Sequence, residues 1–268
     1  MSTQLRSYKD YFIESRNNYV GKKPDLDYFY KKGILNLDTT NFPKLYSENI
    51  EELSKIVGEY FSKTTPTDNP KLIKYEEFNK IITQVSNISD IIVPYLEDNL
   101  YGCHLYVDKV YAWRNVSHNI LEDSWLWHFD NNPNEIYKVM IYLSNVNTRN
   151  SPFQYLSNNK GFGKVIESTR CGIDKWKTIG SRISNSDLEK FIDEGYKINS
   201  MIGKKGSATV FNNSLVHRAT IPEKNNYRDA LVIRVKPTIN KIDYISNRYT
   251  TSWEKDGAVN KNPNIIGD

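Results

Sequence analysis

The sequence predicts a mainly β protein with flanking helices (α+β), one domain whose N-terminal helical segment supports a β core. Three observations carry this reading. Helix-period apolar patterns occupy the first hundred residues. Short runs of β-branched and aromatic residues follow from about residue 101, and no Gly/Ser- or Pro-rich linker divides the chain. Nineteen tyrosines strengthen the β leaning, because Tyr fits strands and buries a ring with a polar tip.

Residues 1–100 read mainly as helices. Over 49–63, Leu53, Ile56, Val57, Tyr60 and Phe61 recur at helical spacing, with Asn49 and Glu52 as a variant capping box. Residues 75–98 repeat the style, with Pro94 as the expected break. Strands are expected in HLYVDKVYAWRNV, WLWHF, YKVMIYLSNV, GSATVFNN and ALVIRVKP, each bounded by Asn, Gly, Ser or Pro. Together these make a core over 101–237. Within it, the polar, glycine-bearing stretch 157–200 reads as an inserted lid with one helix begun by a capping box at Ser186 and Glu189. Residues 238–268 read as an irregular tail.

Apolar residues at 38% and charged residues at 25% fit an ordinary globular protein and exclude a disordered one. The net charge of +4 is spread among nearly as many acids, so there is no basic stripe and no nucleic-acid partner is expected. Cys103 and Cys171 form no CxxC pair and read as reduced structural thiols. The N-terminus lacks a signal-like apolar run and no stretch is apolar enough to span a bilayer. A cytoplasmic location without membrane attachment is therefore expected; the oligomeric state is left open.

The chemistry concentrates in WLWHFD. On a strand, His128 and Asp130 would project from one face, an imidazole beside a carboxylate. One further ligand makes the two-histidine, one-carboxylate triad of non-haem Fe(II) oxygenases, and His217 in FNNSLVHRAT is the best candidate. HxD also arises by chance, and a lone histidine is usually structural, the role given to His104 and His118. A further feature shifts the balance. Arg228 opens a strand run eleven residues after His217, a spacing that lets its guanidinium reach the same cavity and clamp a dicarboxylate. Arg218 and Arg234 keep the ordinary role of surface salt-bridge arginines.

From about 101 to 237, the ordered series AWRN, WHFDNNP, YKVMIYLSNVN, SPFQYL, GSATVFNNSLVHRA and RDALVIRVKP resembles the phytanoyl-CoA dioxygenase-like branch of the Fe(II)/2-oxoglutarate oxygenases. The resemblance covers about half of the chain. It implies a double-stranded β-helix, or jelly roll, with the metal at its open mouth. By position, His128, Asp130 and His217 match the iron ligands and Arg228 matches the arginine on the distal carboxylate of 2-oxoglutarate. Asn115 matches a strand position where some members place an amide near that cosubstrate, though a turn former at a strand end is an equal reading. Some relatives carry a serine two residues after the distal histidine; here Ala219 stands there, and the neighbouring Thr220 is the substitute candidate, although a shift of one residue turns it to the other face.

The cofactors so implied are Fe(II), 2-oxoglutarate and O2, and the partner is a small-molecule substrate, anionic or carrier-linked. Asp130 favours hydroxylation over halogenation, since related halogenases keep that position small. Lys138 and Tyr142 share one face of their strand, toward cavity or solvent, while Trp125, Trp127 and Phe153 are candidates for the substrate wall but read first as core. Three rivals remain: zinc hydrolysis, for which no motif places a general base; a non-catalytic jelly-roll domain for ligand binding or assembly; and a cupin-type metalloenzyme that does not use 2-oxoglutarate. Arg228 counts against the last.

Overall fold

Ser7, whose side chain accepts a hydrogen bond from the Asp10 amide (3.1 Å), opens the first helix of the computed structural model. The structure describes residues 7–63, 71–72, 80–119, 123–167, 181–241, 252–254 and 257–259. Helices α1 (Tyr8–Asn18) and α2 (Leu26–Lys32) lead into strand β1 (Ile34–Leu37), a strand inside the segment expected to be helical. Gly33 takes a φ of +61° at the helix end, a conformation that costs a glycine least.

Helix α3 spans Lys44–Lys63, so it begins five residues before the expected cap. Asn49 lies buried within it, donating to the Leu45 carbonyl (2.7 Å) and accepting from Asn87 (3.0 Å). The capping-box pattern was matched by a residue that cross-links two helices. Strand β2 is Lys71–Leu72, and α4 is Ile82–Leu96. Pro94 does not break α4 but sits inside its last turn, where the chain widens into a π-helical turn over Glu97–Tyr101. Leu53, Val57, Phe61, Val85, Ile88 and Ile92 are fully or almost fully buried between these helices and the sheet below. Each such side chain contributes roughly 1.5–3 kcal/mol.

The remaining strands are β3 (His104–Val116), β4 (Tyr137–Tyr142), β5 (Phe153–Ser157), β6 (Lys197–Met201), β7 (Ala208–Asn212), β8 (His217–Ala219), β9 (Tyr227–Thr238), β10 (Ser252–Glu254) and β11 (Gly257–Val259). They form an eight-stranded sheet in the order β1-β7-β4-β9-β3-β11-β10, with β2 also on β3, and a three-stranded sheet β6-β5-β8. Every ladder is antiparallel. Helix α5 (Asn185–Asp193) precedes β6 and is capped by Ser184, not Ser186, because Ser184 reaches the Asp187 amide (3.1 Å). The tail expected to be irregular supplies β10 and β11, a hairpin that covers the open edge of β3. Two facing antiparallel sheets with helices outside the larger one make the expected α+β jelly roll.

Period-two alternation divides the large sheet. Val139 and Ile141 on β4, Leu231, Ile233 and Val235 on β9, and Val110 and Ala112 on β3 face the helices. Their neighbours face the smaller sheet, where Met140, Val232, Phe153 and Phe211 form a second core. A bulge between Val107 and Lys109 resets the alternation of β3. No helix among the described residues is long and apolar enough to cross a membrane.

At the bulge, buried Asp108 accepts from Arg234 Nε (2.9 Å) and Nη2 (2.6 Å) and lies 2.8 Å from Lys236 Nζ. Arg234 is thus no surface salt-bridge residue; Asp108 holds it inside the fold. Burial alone would raise the Asp108 carboxyl, but the two cations bring it down to about 2. Its contribution is present above the ordinary carboxyl pKa of the unfolded chain, near 4, and is lost as pH falls through about 2. Asp108→Ala strands two buried cations and is expected to cost about 3–5 kcal/mol in urea unfolding at pH 7. A loss below about 1 kcal/mol would mean that the trio is structurally idle.

Candidate metal centre and its cavity

His128 is not held by a strand, as expected for WLWHF, but by a loop pinned at single points. A 3-10 turn (Asp123–Trp125) precedes it, and the chain then touches β8 through one reciprocal bridge: His128 N donates to His217 O (3.0 Å) and His217 N to His128 O (2.9 Å). Two residues on, Asp130 N donates to Asn213 O (2.8 Å). The expected shared face of His128 and Asp130 survives because the bridged backbone is locally strand-like, while the side chains flanking it pull the rest away. Trp125 stacks on His118 at 5.3 Å, and Trp127 packs with Leu156 and Val216 under Arg218. Neither tryptophan reaches the cavity wall; Phe153 does.

The imidazoles of His128 and His217 lie with centroids 4.3 Å apart. Nδ1 of each faces a carbonyl two residues earlier, Leu126 O at 2.7 Å and Leu215 O at 2.8 Å. A carbonyl only accepts, so each Nδ1 carries the proton and each Nε2 lone pair is left for a metal. His128 Nε2 is 3.8 Å from Asp130 Oδ1, and ligand atoms of the three residues lie within 4.8 Å of one another. Among the described residues this is the one cluster of His, Cys, Asp and Glu with such geometry.

Charges suit the same use. Burial, then the adjacent His128, pushes His217 down to about 3, and burial likewise lowers His128, so both rings are neutral at pH 7. Burial would raise Asp130, but Lys138, followed by His217 and His128, holds it well below the usual carboxylate range. Lys138 Nζ donates to Asp130 Oδ2 at 2.5 Å, which leaves Oδ1 toward the histidines. Lys138, placed by the sequence on an undetermined face of β4, therefore faces the cavity. Tyr142 instead donates to Met201 O (2.8 Å) and packs beside Arg228.

A cavity of about 380 Å³ opens between the sheets and is lined by the three candidate ligands and by Arg228 and Asn115. Arg228 is 2% exposed, and its Nη1 donates to Ser151 O at 2.5 Å. Nε has no hydrogen-bond partner among the described residues. A buried guanidinium on the wall of a cavity is suited to a carboxylate. Asn115, paired with Arg228 in the β3–β9 register, donates to Ser151 Oγ (3.1 Å). Ser151 itself holds a φ of +65° and is fully buried; that uncommon backbone turns its carbonyl onto Arg228. Sequence reasoning passed over Ser151, whose one signal was its place before Pro152. Thr220 stands apart from the cavity lining, its hydroxyl donating to Pro152 O (3.3 Å), while Ala219 lines the cavity in its place. His104 is remote from this cluster, beside Glu97 and Tyr19.

The donor set fits Fe(II), and the cavity fits a dicarboxylate cosubstrate: two neutral imidazoles and one carboxylate converge, with Arg228 on the same wall.

No family model and no curated protein matches the sequence. Solved structures do match its fold. HygX from Streptomyces hygroscopicus, solved with nickel and 2-oxoglutarate bound, aligns over 88% of this chain and 95% of its own at 12% identity and a TM-score of 0.50. EctD from S. alaskensis, solved with 2-oxoglutarate and 5-hydroxyectoine, aligns over 98% and 96% at 11% identity and a TM-score of 0.51. The epimerase SnoN, in complex with Fe3+, alpha ketoglutarate and nogalamycin RO, aligns over 89% and 94% at 10% identity and a TM-score of 0.52. At these identities the likeness is one of fold.

Proposed function

We propose that this chain is an Fe(II)- and 2-oxoglutarate-dependent oxygenase of the phytanoyl-CoA dioxygenase-like branch that hydroxylates an aliphatic C–H of a small molecule. The observation that carries this reading is the pairing of two neutral imidazoles, His128 and His217, and the Asp130 carboxylate with a buried Arg228 on the wall of one cavity. In support, HygX, EctD and SnoN, three proteins of the same fold, were solved with 2-oxoglutarate or alpha ketoglutarate.

Fe(II) with 2-oxoglutarate and O2 supplies an oxidant strong enough to take hydrogen from an unactivated C–H bond, with succinate and CO2 as co-products. The chain's residues do the rest. His128, Asp130 and His217 would hold the metal through two imidazole nitrogens and one carboxylate oxygen. The carbonyls of Leu126 and Leu215 fix the ring orientations. Arg228, braced by Ser151, would orient the cosubstrate's far carboxylate, and Asn115 holds Ser151 in place. Phe153, Phe211 and Met140 keep the interior apolar, which limits water near the oxidant.

The test is succinate formation from 2-oxoglutarate by protein reconstituted with one Fe(II), across a panel of small metabolites. Stimulation by at least one of them, abolished by His217→Ala, is expected. Failure to bind 2-oxoglutarate in the presence of metal would overturn the proposal.

A further inference from the structure

The backbone orients both histidine rings of the cluster but not the Asp130 carboxylate. Each imidazole faces a carbonyl two residues earlier, whereas Asp130 lies on an irregular segment tied only through its main chain, its amide to Asn213 O (2.8 Å) and its carbonyl to Asn132 Nδ2 (3.1 Å). Those bonds place the Asp130 Cα and leave its side-chain torsions open. Among the described residues, the hydrogen-bond donor on the carboxylate is Lys138, whose Nζ meets Oδ2 at 2.5 Å while Oδ1 stands 3.8 Å from His128 Nε2. The two oxygens are divided between a cation and the ligand cluster.

The position of Lys138 makes that bond firm. It sits inside β4, which is laddered on both sides, with Phe211 of β7 and Arg234 of β9 as its register partners. Arg234 in turn stands opposite Lys109 of β3 in the same row. Like charges directly opposite each other are unfavourable in a sheet, and Arg234 is already turned to Asp108 through Nε (2.9 Å) and Nη2 (2.6 Å). Arg234 therefore repels the Lys138 ammonium, and Phe211 has no acceptor for it; the Asp130 carboxylate is where the charge is answered. Both side chains of the pair are mostly buried, so water screens it little. For stability alone this is a poor choice, because an apolar pair of the same volume is often as stable as a buried ion pair. What an ion pair adds is a single orientation for the carboxylate.

Resting on the metal centre of the oxygenase reading above, we propose that Lys138 is a positioning residue: by occupying Oδ2 it turns Asp130 Oδ1 to the two imidazoles and sets the third ligand in place before the metal binds. It acts through Asp130 alone. The central strand β4 thereby supplies the orientation that the ligand-bearing segment lacks, as outer partners of metal ligands do in general.

The probe is Ni(II), which replaces iron without turnover, titrated calorimetrically into the metal-free chain. Lys138→Met, which keeps the length of the side chain and removes its donor, should weaken Ni(II) binding about 10–100-fold. Lys138→Arg, which keeps a donor at the end of a long side chain, should recover most of that affinity. Thermal melts without metal ensure that folded proteins are compared. A crystal structure of the Ni(II)-loaded wild type asks the same question without a substitution: Lys138 Nζ should remain within hydrogen-bond distance of Oδ2, with Oδ1 on the metal. A lysine that leaves Oδ2 in that structure would be only a counter-ion that the metal displaces, and the role would fall. Affinity that is unchanged or higher in folded Lys138→Met, or not recovered in Lys138→Arg, would overturn it equally. A wild type that binds no Ni(II) would overturn the metal centre itself, and the role with it. A Ni(II)-loaded wild type that does not bind 2-oxoglutarate would overturn the oxygenase reading alone, since the Lys138 readouts need no cosubstrate.

Discussion

Replacing His128 and Asp130 together by alanine is expected to take anaerobic Fe(II) binding from about one per chain to none. The remaining His217 offers a single Nε2, and loss of even an outer partner commonly costs roughly 10–100-fold in metal affinity. Loss of two first contacts costs more. Equilibrium dialysis against Fe(II), with metal counted per chain, reads the result. Removing Asp130 also strips Lys138, whose side chain is 15% exposed, of its carboxylate, so the double variant should melt earlier as well. The single variant His217→Ala leaves the Asp130–Lys138 pair intact and separates metal loss from fold damage. Stoichiometric iron in both variants would sink the assignment.

Arg228→Met should weaken 2-oxoglutarate binding about 30–100-fold in titration calorimetry of the Ni(II)-loaded protein. The estimate follows from losing about 2–3 kcal/mol of charge-assisted hydrogen bonding in a dry site, at 1.4 kcal/mol per decade. The same change should leave the unliganded protein no less stable. Among the described residues Arg228 is buried with Nε unpartnered and no carboxylate bonded to it, and a methionine of similar length removes that charge from the core. Binding and stability therefore move independently, and this separates a cosubstrate clamp from a structural arginine. An unchanged dissociation constant, or a melting temperature that falls with affinity intact, would show the residue to be structural.

The strands were legible wherever alternation and β-branched content agreed. YKVMIYLSNV contains β4, and the runs that became β3, β7 and β9 lie where the pattern put them. The helical support was legible in kind but not in its ends, since Asn49 resembles a cap by residue type and is a buried cross-link by position. Two further departures share a cause. WLWHF has strand composition, but its tryptophans pack into separate sites and only His128 bridges to β8. The tail has loop composition, yet its residues pair with an edge that β3 would otherwise leave open. Both outcomes depend on distant partners, to which local propensity is blind. The lid expected over 157–200 falls partly on 168–180, which lie outside the described residues; the described part holds α5 and β6.

For the site, the sequence alone determined the chemical types and their order: His128 and Asp130 two apart, His217 beyond a strand, and Arg228 eleven residues later. Those facts are local, and strand geometry converts spacing into a shared face. Only the tertiary structure decided that the two histidines are bridged backbone to backbone, that the Ser151 carbonyl holds Arg228, and that Thr220 turns away. It alone brought Lys109, Arg234 and Lys138 into one row, from strands far apart in the chain. Register sets that row, and a slip of one residue would turn any of the three to the other face. Register is fixed by the burial of whole faces and by the bulge at Asp108, so no short motif could announce it.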